Sequence, residues 1–323
     1  MAAHAAAGGR LRVLVTGSRG KVGSAALAAL LDAGHEVLAC DLGPPVFERT
    51  VPGAAQYRQV DLTNAGDAYA VARGQDAVIH AAAIPDPQHN APDRVFSNNL
   101  LSTFNLLEAA VRFGVPRFVN VSSETVPGFF FPERPVPRPY APIDEDYPAL
   151  PQDPYALAKH FGEQLMDAAT RRSDIRCISI RPSWVQWEGN YEHNIGPFLR
   201  DPDEPSASFW SYIDVYDLAD ALRLAAESDL PGHEVFYIAS PDNCANRPLA
   251  EMIRRHHGDA VELRELDRED ASGTSSAKAM RMLGYAPTRS WRDYLTEDGA
   301  LRPEARERLD SGTTGVQRGR AVG

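Results

Sequence analysis

The run Thr16-Gly17-Ser18-Arg19-Gly20-Lys21-Val22-Gly23 spaces three glycines as a phosphate-cradling loop does. Such spacing permits a tight turn, close approach of a pyrophosphate, and close packing of a helix on the preceding strand. A helix opening at this loop aims amide donors and its positive dipole end at the phosphates. Asp41 follows Gly23 by 18 residues. Its carboxylate suits the adenosine ribose hydroxyls and repels a 2′-phosphate, so NAD is the expected cofactor. Arg19 and Lys21 offset part of that repulsion, which leaves NADP open.

In Tyr155-Ala156-Leu157-Ala158-Lys159 a phenol and an ammonium stand one helical turn apart on one face. With 11 tyrosines and three lysines in 323 positions, chance supplies roughly 0.1 such pairs. The 33 basic residues include only three lysines, Lys21, Lys159 and Lys278. A lysine kept in an arginine-rich chain marks a place for a compact ammonium that a guanidinium replaces poorly. Lys278 has no such place and reads as a surface residue. Ser122-Ser123 lies just past a strand-like run, at the carboxyl edge where doubly wound sheets bind ligands.

These groups need a scaffold, and the hydrophobic pattern supplies one. Leu11–Thr16, Glu36–Cys40, Gln56–Val60, Ala77–His80, Arg117–Val121, Ile175–Arg181 and Glu234–Ile238 read as strands. Helical patterns fall between them at Val22–Ala33, Asn98–Phe113, Tyr155–Thr170 and Val215–Ala226. Such alternation predicts an α/β fold, a doubly wound Rossmann-type parallel sheet with a smaller C-terminal substrate domain. The expected division is a flexible start at 1–10, a dinucleotide-binding domain at 11–182, a mainly substrate-holding domain at 183–310, and a disordered tail at 311–323. A proline-dense stretch, 127–154, interrupts the first domain. It cannot form a regular helix or central strand, and Phe129, Phe130 and Phe131 mark it as an ordered wall or lid.

Composition narrows the function classes. An apolar fraction of 43% and a charged fraction of 24% are those of a soluble globular protein. A net charge of −11 without a basic stripe argues against nucleic acid. Three scattered cysteines are too few for a disulfide framework or metal cluster, and Cys40 and Cys177 read as inert core residues. No metal site is expected. Met1–Gly9 lacks the basic and long apolar regions of a signal peptide, and no run reaches the length of a membrane span. A reducing cytoplasm is the expected setting.

Together the residues resemble an extended short-chain dehydrogenase/reductase of the NAD-dependent epimerase/dehydratase group. The resemblance runs from Leu11 to Trp291. It rests on the glycine loop, Asp61-Leu62, His80-Ala81-Ala82-Ala83, Asn99 with Thr103 to Ala110, Ser122-Ser123, Tyr155 with Lys159, Arg181-Pro182, and Tyr212-Ile213-Asp214-Val215. It implies that Asp61 and Leu62 contact adenine and that Ala81, Ala82, Ala83, Asn99 and Pro182 border the cofactor groove. It further implies that Lys159 bonds the nicotinamide ribose and lowers the Tyr155 phenol, that Tyr155 takes the substrate hydroxyl proton, and that Ser123 holds the reacting oxygen. His80 reads as a packed strand-end histidine. Relatives commonly pair through the helices at Asn98–Phe113 and Tyr155–Thr170, so a homodimer is implied as well.

Departures from the family pattern bear on the substrate. Dehydratases carry an acidic pair after the Ser/Thr; here those positions are Glu124 and Thr125, which disfavours dehydration. The segment between Arg181 and Tyr212 is short, as in uronate dehydrogenases, and points to a small sugar or sugar acid. Trp184, Gln186, Asn190 and Trp210, with Trp187, Tyr191, His193 and Asn194, form a polar and aromatic set that would suit a carbohydrate. Arg134, Arg138 and Arg200 are candidates for an anionic group on it. The expected activity is hydride transfer between a nicotinamide and a hydroxyl or carbonyl carbon of a sugar-like substrate. A sugar or nucleotide-sugar epimerase with tightly held cofactor is the first alternative, and a non-catalytic NAD(P)-sensing protein the second.

Overall fold

The computed structural model describes residues 9–43, 56–201 and 203–310. The flexible start and disordered tail expected at the two ends lie outside the described residues, save Gly9 and Arg10.

In chain order the elements are β1 (Arg12–Thr16), α1 (Lys21–Asp32), β2 (Glu36–Asp41), β3 (Gln56–Gln59), α2 (Ala65–Ala72), β4 (Ala77–His80), α3 (Pro92–Arg112), β5 (Arg117–Val121), β6 (Tyr140–Ala141), α4 (Pro154–Arg172), β7 (Arg176–Pro182), β8 (Val185–Gln186), α5 (Tyr191–Asn194), α6 (Gly196–Arg200), β9 (Ile213–Asp214), α7 (Val215–Glu227), β10 (His233–Ile238), α8 (Leu249–His257), β11 (Glu262–Leu263), α9 (Ala277–Leu283) and α10 (Pro303–Asp310). Seven strands form one parallel sheet in the order β10-β7-β5-β4-β1-β2-β3. The expected α/β doubly wound sheet is therefore present. Its helix α3 begins six residues before the expected Asn98, because Pro92 at its first turn needs no amide partner and opens it early.

Strand residues alternate between two helical layers. Val13 and Val15 of β1 face α1 and α7 with Leu30, Leu218 and Leu222, while Leu14 faces the α2, α3 and α4 side with Val71, Leu106 and Met166. Both faces being covered explains why these strands read as near-continuous apolar runs. Cys40 and Cys177 are buried in the second of these layers. A third cluster is aromatic, with Tyr191, Phe209, Trp210, Tyr212, Trp291 and Tyr294. Phe129, Tyr140, Ile143 and Tyr147 of the proline-dense stretch belong to it, and β6 pairs with β11.

The outer edge of β10 is occupied by side chains. Lys278 donates to the Val235 carbonyl at 2.9 Å, Glu145 accepts from the Tyr237 amide at 2.8 Å, and Ser276 bonds both polar groups of Ala239. Lys278, read as a surface residue, is a three-quarters covered strand-edge group with Glu234 as its ion pair.

Candidate active site

The glycine loop has little room for anything but glycine. Gly17 adopts φ +63°, and a Cβ there would stand 2.7 Å from the Ala82 nitrogen. A Cβ on Gly23 would collide with the Gly17 carbonyl. Gly20 caps α1, leaving Lys21 and Val22 as its first residues and no side chain between the first amides and a phosphate. Asp41 ends β2 beside the loop and accepts from the Arg19 amide at 2.9 Å and the Leu42 amide at 2.8 Å.

Behind the loop runs a chain of hydrogen bonds whose directions fix one another. Ala82 N–H donates to Thr16 Oγ1, and Thr103 Oγ1 donates to the Asn99 carbonyl at 2.8 Å. His80 lies between the two hydroxyls, Nδ1 at 2.8 Å from Thr16 and Nε2 at 3.1 Å from Thr103. The consistent tautomer carries its proton on Nε2 and accepts from Thr16. Burial holds His80 down at about 3, so it stays neutral. Asn99 clamps Ile84 through both its amide groups, at 2.8 and 3.0 Å. Ala81, Ala82 and Ala83 are thus fixed from both sides, with Ala82 against Gly17. Leu62 packs beneath, whereas the Asp61 carboxylate turns back on Thr63 at 2.9 and 2.6 Å.

The catalytic candidates meet at the carboxyl end of β5. Asp153 caps α4, accepting from the amides of Tyr155 and Ala156 at 2.9 Å each, with Pro154 at the first position. α4 thus begins one residue before the expected Tyr155, at the last position of the proline-dense stretch. Lys159, one turn on, donates to the Val121 carbonyl at 2.7 Å and lies 5.6 Å from the Tyr155 ring centroid. Burial lowers Lys159 to about 8, with Glu163 acting against the shift. Burial pushes the Tyr155 phenol up to about 12, with a side-chain hydrogen bond from Ser123 acting against it. The resting phenol is therefore protonated.

Beneath them is a network that sequence reasoning missed. Arg181 donates to Glu163 through Nε at 2.8 Å and Nη2 at 2.7 Å, and Ser122 donates to the same carboxylate at 2.6 Å. Tyr237 joins through Arg181 at 3.3 Å. Burial alone would raise Glu163, but Arg181, His160 and Ser122 pull it down to about 2. The available signal was spacing: Glu163 lies one further turn beyond Lys159 on α4.

On the other side, Glu124 is 6% exposed, and its Oε2 has no partner among the described residues. Burial raises it well above the ordinary carboxylate range, opposed only by Ser183. Thr125 Oγ1 is likewise buried without a partner, while its amide donates to Ser123 Oγ at 3.1 Å. Pro182, ending β7, accepts from the Glu124 amide at 3.2 Å. The four polar and aromatic candidates differ from this group. Gln186 is fully buried and engages Trp184 and Asn194; Asn190 receives the Trp187 amide; Trp210 donates to the Glu204 carbonyl within the aromatic cluster. Only Trp184, 36% exposed, offers a free surface.

The family model of the NAD dependent epimerase/dehydratase family matches residues 13–239. A UDP-glucose 4-epimerase of Corynebacterium glutamicum is 25% identical over 318 residues, covering 89% of this chain and 94% of its own. A uronate dehydrogenase of Pseudomonas syringae pv. tomato is 26% identical over 230 residues, covering 70% of this chain and 73% of its own. The crystal structure of a short-chain dehydrogenase/reductase superfamily protein from Agrobacterium tumefaciens with bound NAD shares the fold. It superposes with a TM-score of 0.67 at 24% identity, covering 94% of this chain and 99% of that one. With more than two thirds of its length inside the family match, the chain belongs to the NAD dependent epimerase/dehydratase family and is an enzyme of the short-chain dehydrogenase/reductase class.

Proposed function

We propose that this chain oxidises a hydroxyl of a sugar-like substrate, or reduces the matching carbonyl, with NAD. The observation that carries the reading is one juxtaposition: Ser123, Tyr155 and Lys159 at the end of β5, beside a glycine loop with no room for a Cβ at Gly17 or Gly23. Gly17, Arg19, Gly20, Lys21, Val22 and Gly23 would hold the pyrophosphate and Asp41 the adenosine ribose. Lys159 would hold the second ribose, and Ala81, Ala82, Ala83 and Pro182 would border the groove. Asn99 acts from behind, by fixing Ile84. When bound, NAD supplies the hydride acceptor and a positive ring next to the phenol.

The chain's own residues manage the proton. Ser123 orients the substrate oxygen toward Tyr155. Tyr155, protonated at rest, must first release its proton before it can take that of the substrate hydroxyl, and the cation of Lys159 favours that release. Reduction runs the reverse way and starts from the resting phenol. Glu124, Thr125 and Trp184 would contact the sugar. Glu124 lacks a second carboxylate beside it, which argues against water elimination.

Epimerisation uses the same groups, and the near full-length similarity to a UDP-glucose 4-epimerase favours it as the second reading. Incubation with NAD and a panel of free sugars, sugar acids and sugar nucleotides separates the two. NADH absorbance that grows with one substrate supports the dehydrogenase. Stereochemical inversion of a sugar nucleotide without NADH assigns the epimerase. Neither outcome on any substrate leaves the sensing protein.

A homodimer belongs to the same proposal. Leu101, Phe104 and Phe161 are exposed on α3 and α4, around an apolar groove of about 500 Å³. A reducing cytoplasm suits its three buried free cysteines.

A further inference from the structure

Arg138, in the proline-dense stretch, lies over two aromatic rings, its guanidinium carbon 4.7 Å from the Phe129 centroid and 5.5 Å from that of Phe209. Among the described residues it has no ion pair and no hydrogen bond; burial lowers its guanidinium, and the Tyr147 phenol acts against that. In a chain of net charge −11, a half-buried arginine without an acid is unusual. Arg134 and Arg200, the other two candidates for an anion, are placed differently. Arg134 is exposed, and Arg200 donates to the Gly299 carbonyl at 3.3 Å.

A second polar group meets the same ring. His257, the last residue of α8, stands edge-on to Phe209 with centroids 5.2 Å apart and planes at 89°. Its Nε2 is buried without a partner among the described residues, as is that of His256 against Trp210. Burial, Arg138 and His256 all hold His257 below the ordinary histidine value, and no carboxylate opposes them. A cavity of about 350 Å³ opens between Arg138 and His257, walled by Val136, Pro137, Pro139 and Val261. None of Ser123, Tyr155 or Lys159 lines it.

The backbone beneath is strained. Phe209 and Trp210 adopt φ of +50° and +59° in succession, which is costly for residues other than glycine and concentrates at functional places. Ser206 and Glu204 secure that geometry by accepting from the Trp210 amide at 2.9 Å and its indole at 3.1 Å. The C-terminal end of a helix is negative, which opposes an anion. Against it stand Arg254 in the last turn of α8 and Arg138 from the proline-dense stretch, Arg255 being paired with Asp203.

We propose that Arg138 and His257 form an oxyanion-binding site, apart from the catalytic groups, for a small molecule bearing a phosphate or a carboxylate. The guanidinium fork takes two oxygens side by side. The neutral imidazole donates from Nε2 without first taking up a proton. Bound negative charge then favours the protonated imidazole, so binding tightens as pH falls.

The test is calorimetric titration of the full chain, NAD added, with inorganic phosphate in one arm and acetate in the other. Saturable binding of one or both identifies the anion class. Arg138→Gln should weaken it by about tenfold or more, and His257→Ala by a smaller factor while removing the pH dependence. The two variants sit on separate segments, so a folding failure of one leaves the other decisive. No saturable heat with either anion, or equal affinity in both variants, overturns the site. The readout needs no turnover, so a failure of the proposed reaction leaves it standing, and the reverse.

Discussion

Glu163, on α4, and Glu124, just past β5, are both almost wholly buried, 3% and 6% exposed, yet their carboxyls shift in opposite directions. Glu163 lies under the site with two donors from Arg181 and one from Ser122, and it stays charged. Glu124 lies on the other side with an unpartnered oxygen among the described residues, and burial pushes its carboxyl well above the ordinary range. Burial penalises both charges equally in kind; the partner decides. The contrast separates a floor whose polar groups satisfy one another from a side where Glu124 Oε2 and Thr125 Oγ1 have no partner among the described residues.

The sharpest way to test that separation is to remove the group between the two. Tyr155→Phe should cut turnover by about 10²–10⁴-fold and leave NAD affinity and unfolding midpoint as in the parent. If cofactor affinity falls with turnover, the phenol is part of the floor and the contrast fails. Next, Glu163→Gln leaves the Arg181 guanidinium buried against an uncharged partner. Denaturant unfolding should show a loss of about 3 kcal/mol.

Acid titration distinguishes the same two residues by sign. The folded value of Glu163, about 2, lies below its ordinary 4.5. Its contribution is therefore fully present above the ordinary value and is lost as pH falls through the folded one. Glu124, raised instead, costs stability as pH climbs above the ordinary value, so its effect runs the other way. Stability of the parent measured between these values should fall toward acid, and in Glu163→Gln that fall should flatten. The smallest effect belongs to Glu124→Leu. Unfolding stability should stay within about 1 kcal/mol of the parent, since only the Ser183 hydroxyl loses a neighbour, while the KM for the sugar rises. A loss as large as that of Glu163→Gln would make the two residues alike.

The two sides also differ in how far they were legible from residues alone. Gly17, Gly20 and Gly23 act through local backbone geometry, and Tyr155 with Lys159 through helical spacing, so a few consecutive residues reveal them. The Glu163–Arg181 pair joins α4 to β7 and has no local signal beyond a repeat on the helix face. The aromatic cluster draws Phe129 and Tyr147 from one stretch and Trp210 and Trp291 from others. No single window contains it. Gln186 and Asn190 looked free because side-chain amides advertise no partner in a sequence; their partners lie in neighbouring turns.

β10 closes one end of the sheet, where a bare row of amides and carbonyls would template another strand. Lys278, Glu145 and Ser276 each occupy one rung of that row, and the Lys278–Glu234 pair adds charge that a docking strand would have to desolvate. Chain-to-chain growth along the sheet, the route to aggregation, is obstructed at this end by three side chains from two distant segments. Pairing of a second strand at this end would have to displace all three side chains and desolvate the Lys278–Glu234 pair.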